Sequence, residues 1–148
     1  MKIDDKDTKV LELLKENSKL GTNQMSKRLR MPITTVHNRI KKLEKEGVIQ
    51  GYTLKIDYKK IGYPIKAFIL VNVSYTLPDG EKIDQEELAK KIKKLEGVEE
   101  VNIMTGVTDI LLSVRVKDIE QLNDFVIRKL RNIPGVDKTQ TMIVLNNY

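Results

Sequence analysis

Two stretches of this chain follow one plan. KKIKKLEGVEEVNIM and RKLRNIPGVDKTQTMIVL each run from a basic helix end through Gly-Val into a β-rich strand. A strand precedes each helix, IKAFILVNV in the first case and DILLSVRV in the second. Each helix also opens on a capping pattern, Asp84-x-x-Glu87 and Asp118-x-x-Gln121. A β-α-β unit written twice predicts a ferredoxin-like βαββαβ domain over residues 65–148, with two helices on one face of a four-stranded antiparallel sheet. IKAFILVNV and MIVL are apolar at nearly every position. Strands of that kind need both faces covered. Two helices cover one face, so a second copy of the chain is expected on the other, giving a homodimer; the alternative is that the wing or linker folds back over this face.

The first part of the chain has a different rhythm. Val10, Leu13 and Leu14 recur at helical spacing behind Asp4 and Asp7, which suit a helix start. A short helix is predicted near Thr22 to Leu29, then a tight Arg30-Met31-Pro32 connection. A third helix runs from about Ile33 to Glu46 and stops at Gly47. GVIQGYTLKID reads as one or two short strands, a wing beside the helices, and DYKKIGYP as a linker. The expected plan is therefore α+β: a winged helix-turn-helix over 1–56, a linker over 57–64, and the ferredoxin-like domain over 65–148.

Charge separates the two parts. Residues 1–61 carry 15 Lys and Arg against 8 Asp and Glu, a net +7, while the remainder carries 12 against 13. A basic end joined to a neutral one points to a polyanion at that end. With no cysteine and one histidine, disulfide scaffolds, thiolate metal sites and multi-histidine metal sites are excluded. HExxH, GxGxxG and P-loop patterns are absent. No catalysis, cofactor or metal is expected. The charged start and the lack of a long apolar run point to a cytoplasmic protein with no membrane partner.

The third helix carries the chemistry. If Val36, Ile40 and Leu43 face inward, Thr34, Thr35, Asn38, Lys41, Lys42 and Lys45 face out. Short hydrogen-bonding residues come first and lysines later, the order that suits a recognition helix in the major groove of DNA. Asn38 matches adenine bidentately, and threonine methyls match the thymine methyl. Lys41 and Lys42 suit phosphates, as do Lys27 and Arg28 on the preceding helix. Arg39 is expected to anchor a phosphate at the helix edge. His37 is a further candidate DNA contact, weighed against an exposed residue with no role.

IDDKDTKVLELLKEN, MSKRLRMPITTVHNRIKKLEKEGVIQGYTLKID, YKKIG, TGVTDILLSVRVKD and GVDKTQTMIVL together resemble the Lrp/AsnC family of bacterial and archaeal regulators. NRIKKLEKEGVIQGY is the most specific piece. The resemblance spans nearly the whole chain. It implies a winged helix-turn-helix joined to a βαββαβ effector domain, and dimers that assemble further, often to octamers. It implies regulation of transcription at promoter DNA, with an amino acid or related metabolite as effector, bound between dimers near a glycine-aspartate turn. Here that turn is Thr105-Gly106-Val107-Thr108-Asp109, with Thr139 and Thr141 as further candidates. Asp109 would accept from an α-ammonium group, and the threonines offer hydroxyls. This chain also departs from the family pattern. Arg30 stands where a turn glycine is usual, Pro32 where the recognition helix commonly begins with serine, and Gly21 where a serine caps the second helix. A DNA-wrapping architectural protein is the alternative function, and a ferredoxin-like enzyme a remoter one.

Overall fold

The structure, a computed structural model, describes residues 2–146. The chain divides into two compact units, Met1–Lys55 and Ile56–Tyr148. The first unit holds three helices: α1 (Asp5–Glu16), α2 (Thr22–Leu29) and α3 (Ile33–Lys45). α1 begins where its cap predicts. An Asp4 carboxylate oxygen accepts from the Asp7 backbone N–H at 2.8 Å, and Asp7 accepts from that of Asp4 at 3.2 Å. Two donors that the helix leaves free are thus satisfied reciprocally. Val10, Leu13 and Leu14 of α1 meet Met25 of α2 and Val36 and Leu43 of α3 in one apolar core. Each fully buried side chain of this size contributes about 1.5–3 kcal/mol of transfer free energy.

The corner between α2 and α3 depends on Arg30. Its φ of 51° and ψ of 44° place it in the left-handed region, with its N–H donating to the Ser26 carbonyl. It is the one non-glycine residue with positive φ among the described residues. The Ser26 hydroxyl donates to the Met31 carbonyl and closes the corner. Pro32 follows at the start of α3 with φ −56°, near the angle its ring imposes.

The expected wing strands are not formed. Residues 47–57 contain no strand, and the sheet found among the described residues is the four-stranded one of the second unit. The physical reason is a missing partner. Ile49 turns back onto the helical core, and the Tyr52 hydroxyl donates to Glu44 at 2.9 Å. No second strand in this unit completes a ladder, and a lone two-stranded ribbon is marginal in water.

The second unit opens with turns at residues 58–62. It continues as β1 (Ile65–Val73), α4 (Gln85–Lys93), β2 (Val98–Ile103), β3 (Ile110–Val116), α5 (Ile119–Asp124) and β4 (Val136–Ile143). The order is β2-β3-β1-β4 and every pairing is antiparallel, as the doubled β-α-β predicts. Ala67, Ile69, Val71 and Val73 of β1 and Ile110, Leu112, Val114 and Val116 of β3 form the core with Leu88 and Ile92 of α4. Asp84 and Asp118 cap their helices, accepting from the backbone N–H groups of Glu86 at 2.7 Å and Gln121 at 2.7 Å. α5 then widens into a π-helical turn, Phe125–Leu130. The wider turn brings Phe125, Val126 and Leu130 to the buried side together, although the first and last are five positions apart.

The Gly-Val junction of each repeat has a steric cause. Gly97 has φ 85°, and a Cβ there would lie 2.9 Å from the Arg115 carbonyl oxygen. Gly135 has φ 97°, and a Cβ would lie 2.9 Å from the Ile83 side chain. Both positions exclude a side chain by backbone conformation and by space.

The face of the sheet away from the helices is only partly covered within the unit. Pairing puts Phe68 opposite Met142 and Ser113, and Leu70 opposite Leu111. Phe68, Leu70 and Leu111 are half-buried, and Met142 is 44 % exposed. Beside them Glu99 holds Arg115 at 2.9 Å, and the Tyr58 ring stacks 4.0 Å from that guanidinium.

Candidate nucleic-acid interface and ligand turn

α3 presents a polar row to solvent. Val36 and Leu43 are fully buried and Ile40 is partly buried, which turns Thr34, His37, Asn38, Lys41, Lys42 and Lys45 outward. All six are exposed, and Thr35 is half-buried at the flank. Lys27 and Arg28 are exposed on α2. Arg28 lies 3.4 Å from Glu16, a loose surface pair that leaves its charge accessible.

Arg39 departs from expectation. Its Nη1 lies 2.8 Å from each carboxylate oxygen of Asp4 and 2.6 Å from Asp7. Asp7 is 1 % exposed. The guanidinium is therefore engaged within the unit by two acids, where its sequence position suggests a phosphate anchor. Removing Arg39 would leave the buried Asp7 carboxylate without its charged partner, which is destabilising. The Asp7 backbone N–H and then the Arg39 guanidinium hold the Asp4 carboxyl below its ordinary value of 3.8. The two carboxylates, Asp4 first, raise Arg39 above its ordinary value in turn. The sequence shows Asp4 and Asp7 only as helix caps. An ion pair spanning 32 and 35 residues has no local signal.

The glycine-aspartate turn joins β2 to β3. Thr105, Gly106 and Val107 are exposed, Val107 at 94 %, and Thr108 is half-buried. Asp109 is tied down rather than free. One carboxylate oxygen accepts from the Val73 N–H at 2.8 Å. The other accepts from the Tyr75 hydroxyl at 2.5 Å and the Gln85 amide at 3.3 Å. Asn72 donates to the Val107 carbonyl at 2.7 Å. Asp109, first through its hydrogen bond and then with burial, raises the Tyr75 phenol above its ordinary value of 10.0. The turn is thus clamped to the end of β1 and the start of α4, and Asn72, Tyr75 and Gln85 are neighbours of this candidate site that sequence patterns do not reveal.

Thr139 and Thr141 are not brought to the turn. They pair with Val71 and Ile69 on the side of β1 away from β3, two strand spacings or about 10 Å across the sheet. The Thr139 hydroxyl accepts from Arg131 at 2.8 Å.

Known proteins share both units. Residues 66–148 match the model of the Lrp/AsnC ligand binding domain, and residues 3–50 match that of a winged helix-turn-helix DNA-binding domain. The chain belongs to the Lrp/AsnC family. A helix-turn-helix-type transcriptional regulator of Pyrococcus furiosus is 43 % identical over 141 residues, 95 % of this chain and 91 % of the relative. E. coli AsnC superposes with a TM-score of 0.84 at 27 % identity, covering 99 % of this chain and 95 % of that one. A transcriptional regulator of Neisseria meningitidis, solved in complex with L-Met, gives 0.88 at 27 % identity, covering 98 % and 91 %. Membership makes this Lrp/AsnC chain a transcriptional regulator with a DNA-binding unit and a ligand-binding unit. The fold class expected from caps and repeats agrees with the family models. No helix among the described residues is long and apolar enough to cross a membrane.

Proposed function

We propose that this Lrp/AsnC member reads duplex promoter DNA through α3 in the cytoplasm, and that an amino-acid-like metabolite acting at the 105–109 turn modulates it. The exposed row Thr34, Asn38, Lys41 and Lys45 carries the reading. Thr34, Thr35 and Asn38 meet base edges, with His37 at the margin of the groove. Lys41, Lys42, Lys27 and Arg28 meet phosphates.

The test is binding measured against salt. Each phosphate contact contributes about 0.9 to the slope of log K against log salt. Lys41→Ala and Lys42→Ala should each lower that slope by about this amount on every duplex. Asn38→Ala should weaken only a duplex enriched by the wild-type chain, by about 1–3 kcal/mol. An Asn38→Ala loss that is equal on enriched and shuffled duplexes defeats the base-reading role. A wild-type preference near one favours the DNA-wrapping alternative.

The ligand part rests on the exposed turn and on the L-Met complex of the Neisseria meningitidis neighbour. Thr105, Gly106 and Thr108 supply the contacts and Asp109 holds their geometry. Titration of the full chain with L-Met and other amino acids by calorimetry tests it; no heat from any of them removes the effector. The apolar open face of the sheet supports a homodimer, and the family resemblance supports assembly of dimers towards an octamer.

A further inference from the structure

We infer that Arg39 is a positioning residue: held by Asp4 and Asp7 at the start of α1, it fixes the angle at which α3 offers Thr34 and Asn38 to DNA, and it touches no phosphate itself. The inference rests on the reading of α3 as the DNA-reading helix. Four observations carry it.

The first is contrast. Of the four cations on α3, Lys41, Lys42 and Lys45 are exposed, whereas the Arg39 side chain retains 21 % of its exposure. The second is the grip. A single nitrogen, Nη1, meets three carboxylate oxygens within 2.8 Å, and one of them belongs to a buried aspartate. Nε is buried as well, so the inner part of the guanidinium is packed within the unit while Nη1 makes the ion pairs. The third is the rigidity of the acids. Asp4 and Asp7 already hold each other through the capping box, so the start of α1 offers a fixed frame and not two loose side chains. The fourth is charge. Lys2 and Lys6 line the same hollow with Asp4, Asp5 and Arg39. With Asp7 added, three acids balance three bases, and the locality has no surplus positive charge to attract a phosphate.

The consequence follows from adjacency. Arg39 is the residue after Asn38, so its grip acts on the turn of α3 that carries the base-reading side chain. Hydrogen bonding to a base edge tolerates displacements of only about 0.5 Å. A tilt of α3 that leaves the lysines within reach of flexible phosphate contacts therefore spoils the Asn38 contact first.

The experiment uses the full-length chain and two duplexes of equal length. One is enriched from a random library by the wild-type chain, and the other has the same bases shuffled. Affinities are measured across a salt series for wild type, Arg39→Met, Arg39→Lys and Asp7→Asn, at a temperature where circular dichroism shows each variant folded. The expected result is a fall of about tenfold or more in the enriched-to-shuffled ratio for all three variants, the size of a lost base contact. The salt slope of Arg39→Met on the shuffled duplex stays at the wild-type value. Arg39→Lys is informative because it keeps the charge and loses the planar fork. A slope lowered by about 0.9 in Arg39→Met identifies a phosphate contact and overturns the inference. So does an unchanged ratio, which would leave the cluster a matter of stability alone. Should Arg39→Met or Asp7→Asn not fold, Asp4→Asn carries the same prediction for the ratio, since the Asp4 side chain is 53 % exposed. A wild-type chain that binds both duplexes alike removes the underlying reading, and that outcome is visible before any variant is compared.

Discussion

At the scale of single residues, Arg30 and Asp4 make the sharpest demands. Arg30 adopts a left-handed conformation that costs a residue with a Cβ about 1–2 kcal/mol and costs glycine almost nothing. Its side chain is exposed, so little packing offsets the cost. Arg30→Gly should therefore raise stability by about 1 kcal/mol, read as a higher urea midpoint with an unchanged slope. Asp4 sets an acid dependence. Its folded-state pKa lies below the ordinary 3.8, so the carboxylate form is favoured by folding. That contribution is fully present above the ordinary value and is lost as pH falls through the lower folded value. In urea titrations from neutral to strongly acid solution, the stability gap between wild type and Asp4→Asn should close at the acid end. A gap that widens there contradicts the assignment.

Elements in this protein are fixed at their ends. Asp4, Asp84 and Asp118 each satisfy backbone donors at a helix start, and the Gly-Val junctions let the chain leave a helix and enter a strand without a clash. The two glycines lie at equivalent points of the repeat and differ in surroundings. At Gly97 the obstacle is a backbone oxygen, which cannot move without disturbing the β3 hydrogen bond from the Arg115 N–H to the Gly97 carbonyl at 2.8 Å. At Gly135 it is the Ile83 side chain, which can adjust. Gly97→Ala should accordingly destabilise the chain by more than about 1 kcal/mol, the cost of the backbone conformation alone, and by more than Gly135→Ala. Thermal unfolding of the two variants side by side checks the order. An equal loss would mean that conformation decides both positions and close contact neither.

For the whole molecule, the open face of the sheet is the feature that a single chain leaves unfinished. Phe68, Leu70, Leu111 and Met142 form an apolar stripe in register across three strands, and the Ser113 hydroxyl among them is buried without a partner. Water-facing apolar stripes on sheets mark association surfaces. Leu111→Asp places a charge in the middle of that stripe while leaving the helix-side core untouched. It should convert a dimer to a monomer in sedimentation equilibrium with the secondary structure retained. A wild-type chain that already sediments as a monomer would remove the role of this face. The proposed two-fold pairing would also bear on DNA, because two copies of a DNA-reading α3 require half-sites about one helical turn, 34 Å, apart or a multiple of it.

Much of this was legible in the residues. Periodicity, caps and the repeated Gly-Val decide helices, strands and their antiparallel order, because hydrogen bonding and side-chain alternation act between near neighbours and leave a local trace. The exposed row of α3 and the 105–109 turn were visible for the same reason. Three-dimensional packing alone decided what those groups are free to do. It turned Arg39 inward to acids more than thirty residues away, tied Asp109 to Tyr75 and Gln85, and left 47–57 without a strand to pair with. Each of these depends on which distant atoms share a dielectric environment or complete a hydrogen-bond ladder. Sequence spacing does not encode that, since the chain between the partners can be any length that lets them meet.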